Sequence, residues 1–242
     1  MLKNRASRQK NIFLEVEYSG TNYFGFQVQE KKSVVQPTVQ GKLEEALEKL
    51  FRKKIRITFA GRTDRGVHAK AQGINFKVDT KIPLDNIKKA LNTSLPSDIR
   101  IKKIKRVPLD FHARFSAKSK IYRYLIYNSK EPSVFWRDYS WHLSGKLELK
   151  TMQEGARNLL GRKDFSSFAK TAKKYKHCIR EIKNISVKKE GKFIQIDIEA
   201  DGFLRSMARN IVYFLADLSG SKTPRRNKPA LACGLYLYKV KY

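Results

Sequence analysis

Apolar residues in this chain recur at two spacings, every second position or every third to fourth, and the two alternate in an order that occurs twice. A spacing of two lines one face of a strand, and a spacing near 3.6 lines one face of a helix. Residues 12–18 read as a strand. Val39, Leu43, Leu47, Leu50 and Phe51 fall at helical spacing, with Pro37 and Thr38 just ahead as a start signal. Ile55, Ile57 and Phe59 alternate as a strand, and Ile74, Phe76 and Val78 do so again. Leu84, Ile87, Leu91 and Leu95 mark a second helix opened by Pro83. Ile99, Ile101, Ile104 and Val107 close this half, and the last spacing predicts a bulge or bend.

The plan then repeats. Residues 121–127 form a strand, followed by an irregular stretch containing Pro132. Met152, Ala156, Leu159 and Leu160 mark a helix that Gly161 ends. Ile182, Ile185 and Val187 lead through Glu190-Gly191 into Phe193, Ile194, Ile196 and Ile198, the pattern of a hairpin. Met207, Ile211, Leu215 and Leu218 make a helical stripe, and residues 235–242 a final strand. Each half reads β-α-β-β-α-β, the ferredoxin-like order. The expected fold is therefore α+β, with ferredoxin-like halves over residues 1–107 and 108–242 and a mixed, largely antiparallel sheet. Clefts between such halves are common ligand sites, so the loops facing the junction are where chemistry is sought.

Charge narrows what the cleft holds. Lys and Arg outnumber Asp and Glu 52 to 22, a formal charge of +30. A field of that size attracts polyanions, and nucleic acid is the expected partner. A hydrophobic content of 41% is enough to bury a core. Cys178 and Cys233 give no disulfide framework and fit a reducing compartment. No apolar run approaches the roughly 18 residues of a membrane span, and Met1-Leu2-Lys3-Asn4-Arg5 lacks the apolar stretch of a signal peptide. The expectation is a cytoplasmic protein with no membrane partner.

The segment Phe59-Ala60-Gly61-Arg62-Thr63-Asp64-Arg65-Gly66-Val67-His68-Ala69 lies between two expected strands and is too long and charged for a tight hairpin. Gly61 and Gly66 allow sharp bends or a close approach to a ligand. Asp64 is a lone carboxylate amid Arg62, Arg65 and His68. Spacing alone allows a loop salt bridge or a carboxylate placed as nucleophile or base and oriented by a guanidinium. No carboxylate cluster of the kind a metal-dependent nuclease uses is visible. His177-Cys178 lacks a partner pair at zinc spacing. The helical stripe from Met207 to Leu218 reads as core, and the basic runs at 170–177 and 222–228 as solvated faces or phosphate contacts.

Residues 61–69 resemble the active-site motif Gly-Arg-Thr-Asp-x-Gly-Val-His-Ala of the TruA family of tRNA pseudouridine synthases. Five further blocks occur in the family's order. Tyr18-Ser19-Gly20 with Gly25-Phe26-Gln27 comes first, then Phe111-His112-Ala113-Arg114-Phe115 and Lys120-Ile121-Tyr122-Arg123-Tyr124. Phe203-Leu204, Met207, Arg209 and Asn210-Ile211-Val212 follow, and Gly234-Leu235-Tyr236-Leu237 closes the series. The resemblance implies a homodimer that converts uridine to pseudouridine in the anticodon stem-loop of tRNA, at tRNA positions 38 to 40, with no cofactor and no metal. It implies Asp64 as the catalytic carboxylate, Arg62 as its partner and Tyr122 as the aromatic against the flipped base. Read alone, Tyr122 is an ordinary strand aromatic. Arg209, Arg65, His68, Gln27, Arg205 and Leu237 join Tyr122 as expected substrate contacts. Arg65, Tyr213 and Leu231 depart from the family's usual residues. The rival reading is a noncatalytic RNA-binding protein, for which an acid amid arginines has no use because it repels phosphate.

Overall fold

The computed structural model describes residues 9–29, 36–220 and 229–242. The first strand, β1 (Gln9–Tyr18), leads to α1 (Val39–Phe51), β2 (Thr58–Phe59), β3 (His68–Asp79), α2 (Leu84–Ser94) and β4 (Ile99–Val107). Helix α1 starts where Thr38, extended, accepts a hydrogen bond from Gly41 N at 3.2 Å, and it stops at Arg52, whose φ is 54°. Helix α2 starts at Pro83, as the sequence predicts. The second series comprises β5 (Ser119–Asn128), β6 (Trp141–Leu143), α3 (Leu149–Arg157), β7 (Gly161–Asp164), β8 (Ile179–Glu190), β9 (Phe193–Ala200), α4 (Met207–Leu218) and β10 (Leu235–Lys241). Glu190 pairs with Phe193 across a two-residue turn, so the expected hairpin forms.

All the strands join in one mixed, largely antiparallel ten-stranded sheet, of order β4-β1-β3-β10-β5-β9-β8-β7. Strands β4, β1, β3 and β2 lie side by side in the ferredoxin-like arrangement, as do β10, β5, β9 and β8. The two groups meet where β10 runs parallel to β3, with Tyr236 opposite His68 and Leu237 opposite Ala69. β2 occupies the same edge of β3 further along, opposite Asn75 and Ile74. One strand edge thus serves two neighbours in turn.

Ile12, Leu14, Val16 and Tyr18 of β1, Ile74 and Phe76 of β3 and the even-numbered residues of β9 form one buried cluster with the apolar faces of α1 to α4. The helices therefore cover one face of the sheet and leave the other free of helix. On the free face Phe13 meets Phe111 and Tyr242 edge-on, and Asn11 and Asn75 are buried and bonded to each other at 2.9 Å.

Several details differ from the sequence reading. The alternation from Ile55 to Phe59 yields pairing only at Thr58–Phe59, although Ile55 and Ile57 are buried. Alternation reports burial: Ile55 and Ile57 pack into the core without extending the ladder past Thr58 and Asn75. The expected bulge in β4 falls at Lys102, one interval earlier than the spacing suggests. Strands β6 and β7 were not expected; three or four residues are too few to show a period. No helix among the described residues is long and apolar enough to cross a membrane.

Candidate active site

The loop between β2 and β3 is held from three directions. Ala60 N donates to Gly73 O at 2.8 Å, and Gln72 Nε2 to Gly61 O at 2.7 Å. Phe26 N donates to Thr63 O at 3.1 Å, while the buried Tyr18 hydroxyl meets Thr63 Oγ1 at 2.8 Å. Within the loop, Val67 N returns to Asp64 O at 3.1 Å through Gly66, whose φ is 76°. Gly20 lies so close that a Cβ there would stand 2.1 Å from Val67 O. Only a residue without a side chain fits between β1's exit and the loop. The Tyr-Ser-Gly and Gly-Phe-Gln blocks are thus the wall against which the Asp64 loop is shaped.

His68, at the first position of β3, is buried behind that loop. Gly20 N donates to its Nδ1 at 3.1 Å, so Nδ1 accepts; Nε2 faces Cys233 O at 3.1 Å and carries the proton. Tyr236 stacks on the ring at 4.9 Å. Burial pulls the imidazole below its usual pKa, against the opposing pull of nearby backbone carbonyls. His68 fastens β1's exit, the Asp64 loop and the entry to β10 together, and its ring does not reach the cleft.

Asp64 is 39% exposed by its side chain, and the cation opposite it is Arg209, 17% exposed, with Nη1 3.3 Å from Oδ2. The resemblance assigns this partnership to Arg62, whereas in the structure the ion pair runs to α4. Arg62 is exposed and pairs with no acid among the described residues. Arg209 sits in the first turn of α4, where the helix dipole disfavours a cation by about 0.3–1 kcal/mol. Two contacts offset that: Asp64, and Ala230 O, which accepts from Arg209 Nε at 2.6 Å. Ser206, at φ 63°, turns the chain into α4; such left-handed non-glycine residues cluster at functional sites.

Tyr122 projects from β5 into the same space. Its ring packs edge-on against Phe203 at 4.7 Å, and Leu237 lies opposite it in the ladder, fully buried. Burial, with smaller contributions from Tyr18 and Asp64, raises the Tyr122 hydroxyl well above its ordinary pKa. Tyr238 bulges out of the ladder beside it, and bulges favour the neighbourhood of active sites. Asp64, Arg209, Tyr122 and Leu237 therefore converge at the junction of the two strand groups, on the helix-bearing face.

The remaining expected contacts are scattered. Arg65 points away from the cleft, its guanidinium carbon 4.2 Å above the Phe24 ring. Gln27 is half-buried beyond the Phe26 turn. Arg205 is exposed ahead of α4, and its backbone joins the basic 170–177 run: N donates to the Tyr175 hydroxyl at 2.9 Å and O accepts from Lys170 N at 2.9 Å. The basic run at 222–228 lies outside the described residues. Cys178 and Cys233 are free thiols, and no group of His, Cys, Asp and Glu among the described residues is arranged to hold a metal. The sequence reading quotes Lys120 within a family block and assigns it no role; it shares the cleft face of β5 with Tyr122 two positions away. Its even spacing from Tyr122 was the available signal.

The chain matches the tRNA pseudouridine synthase family over residues 15–116 and 156–233. It is 40% identical to tRNA pseudouridine synthase A of Acetivibrio thermocellus, over 96% of this chain and 100% of that protein. It is 41% identical to tRNA pseudouridine synthase A of Caldicellulosiruptor bescii over 92% and 89% of the two chains. For tRNA pseudouridine synthase A of Caldicellulosiruptor saccharolyticus the identity is 43%, over 86% and 84%.

Proposed function

The chain belongs to the tRNA pseudouridine synthase family and isomerises uridine in tRNA, and from that premise we propose that Asp64 is the reacting carboxylate and that its substrates are uridines of the anticodon stem-loop. The observation that carries this is the setting of Asp64: a carboxylate on a clamped loop, facing a cleft and opposed by one guanidinium. Isomerisation breaks the bond from N1 to C1′, turns the detached uracil, joins C5 to C1′, releases the C5 proton and leaves N1 protonated. No cosubstrate is consumed, and we read the reaction as needing neither cofactor nor metal. The carboxylate serves by adding to C1′ as N1 leaves, or by taking the C2′ proton to give a glycal; both routes need it at the sugar.

The other residues take roles that follow from their positions. Arg209 holds the carboxylate once RNA covers the cleft, since an unpaired buried carboxylate is costly. Tyr122 offers a ring face and a protonated hydroxyl to the flipped base. Flipping costs a few kcal/mol, and Arg62, unpaired on the loop, is free to reach the phosphates and fill the gap in the stack. Residues 1–107 and 108–242 act as two half-domains closing on the RNA. We further read the protein as a cytoplasmic homodimer that associates through the helix-free face of the sheet. Trp136 and Tyr139 line that face, and Val134 and Phe135 of the same loop are exposed, Phe135 by 84%.

The test is Asp64→Asn, assayed by tritium release from tRNA labelled at uridine C5 alongside a filter-binding titration. Asparagine keeps the shape but neither adds to C1′ nor takes a proton, so turnover falls by many orders of magnitude. Affinity holds or improves, because a negative charge near phosphate is removed. Wild-type turnover in this variant would overturn the assignment. Arg62→Ala is the companion, expected to weaken both activity and binding.

A further inference from the structure

The loop joining β4 to β5 is built like a fixed arm. Asn11 Nδ2 donates to Pro108 O at 2.8 Å and to Phe111 O at 2.9 Å, and Ala113 N donates to Asn75 Oδ1 at 2.8 Å. Both asparagines are buried, so the base of the loop is tied into the sheet. The tip is bonded as fully: Arg114 N and Phe115 N both point at His112 Nδ1, at 3.1 and 3.4 Å, and Ser116 N donates to His112 O at 2.9 Å. This rigid tip holds Phe115 with 76% of its surface in solvent. Arg114 lies over the Phe115 ring at 5.5 Å and pairs with no acid among the described residues.

The tip stands beside the catalytic loop. Lys120 runs along Gly61: a Cβ on that glycine would lie 3.7 Å from Lys120 Cε and 3.9 Å from the Tyr122 hydroxyl. Burial and the nearby Arg114 guanidinium both pull Lys120 below the usual lysine pKa, with Asp201 opposing. Arg114, Lys120 and Arg62 thus form a run of cations from the tip to Asp64's loop. On its other side the arm borders a cavity of about 550 Å³ into which Lys53, Lys54 and Lys77 face, with Asp79 and Asp110 on the same wall.

We propose that Phe115 stacks an unpaired base of the tRNA substrate other than the uridine being isomerised, and that Arg114 takes the adjoining phosphate. A preordered aromatic beside an unpaired guanidinium is the usual surface for a single-stranded nucleotide. The flipped uridine leaves its neighbours unstacked, and the arm's Arg114 neighbours Lys120, which runs along the Asp64 loop. This rests on the reading of the Asp64 cleft as the RNA site.

The experiment compares the wild type with Phe115→Ala, Phe115→Trp, Arg114→Gln and Asp64→Asn by tritium release and filter binding across a salt series. Phe115→Ala raises KM and Kd at least fivefold, within the range of about 5- to 150-fold expected for one stacked base, and the loss falls on KM rather than kcat. Phe115→Trp restores both. Arg114→Gln lowers the salt slope of log Kd by about 0.7, one phosphate contact on a single strand, and Phe115→Ala leaves the slope as it was. Wild-type KM and Kd in Phe115→Ala, or failure of tryptophan to rescue, overturns the proposal. So does sedimentation showing that Phe115→Ala breaks a dimer, which assigns the ring to a second copy. If Asp64→Asn is dead while Phe115→Ala is silent, the stacking assignment alone falls. If Asp64→Asn keeps turnover, the cleft reading falls and this proposal with it.

Discussion

Both nitrogens of His68 are committed, one accepting from Gly20 N and the other donating to Cys233 O. Protonating Nδ1 would aim two N–H groups at each other in a buried site, so burial and the Gly20 contact oppose the charged form. An unfolded histidine titrates near 6.5 and the folded one lower, so below that pH the unfolded chain binds the extra proton. Stability is complete above about pH 6.5 and declines as pH falls. The expected outcome is a melting temperature lower at pH 5.5 than at 7.5, with the difference reduced in His68→Gln; a flat wild-type profile would sink the idea. The sequence placed His68 among the substrate contacts because the motif is contiguous and burial is not written in it. The same run of nine residues singles out Asp64 as the lone acid among cations. Its pairing with Arg209 was not legible, because nothing periodic links residues so far apart.

At the scale of elements, the Asp64 loop takes its shape from the segments packed against it. A Cβ on Gly20 would press into the Val67 carbonyl at 2.1 Å, so Gly20→Ala must displace either β1's exit or the loop. A shift of about 1 Å at a reacting group costs on the order of 10²-fold in rate, whereas overpacking costs about 1–3 kcal/mol of stability. Gly20→Ala is therefore expected to lose one to two orders of magnitude in tritium release while still melting cooperatively. Near-normal turnover would show that the loop is not held from that side. Long elements were readable because burial on one face imposes a period; β1, α1, β3, α2, β9 and α4 all follow from theirs. What escaped were the short strands β6 and β7 and the truncation of β2, which depend on partners distant in sequence.

For the molecule as a whole, the sheet separates two tasks. Its helix-bearing face holds the proposed site; its helix-free face carries a cavity of about 730 Å³ lined by Tyr236, Tyr238, Trp136, Tyr139 and Arg123, whose guanidinium pairs with Asp197 at 2.8 Å. The proposed dimer uses this second face, so Phe135→Asp should lower the sedimenting mass to a monomer and leave the Asp64 to Arg209 geometry alone. A wild-type monomer at micromolar concentration would refute the dimer. The position of β10 has a consequence in time. This strand, last in the described chain, lies in the middle of the sheet, between β3 and β5. A ribosome delivers every other strand before it. Until residues 235–241 emerge, Asp64 on one strand group and Tyr122 and Arg209 on the other share no seam. A nascent or truncated chain then lacks the seam that brings the two strand groups together, so isomerisation of tRNA is expected only once residues 235–241 are in place.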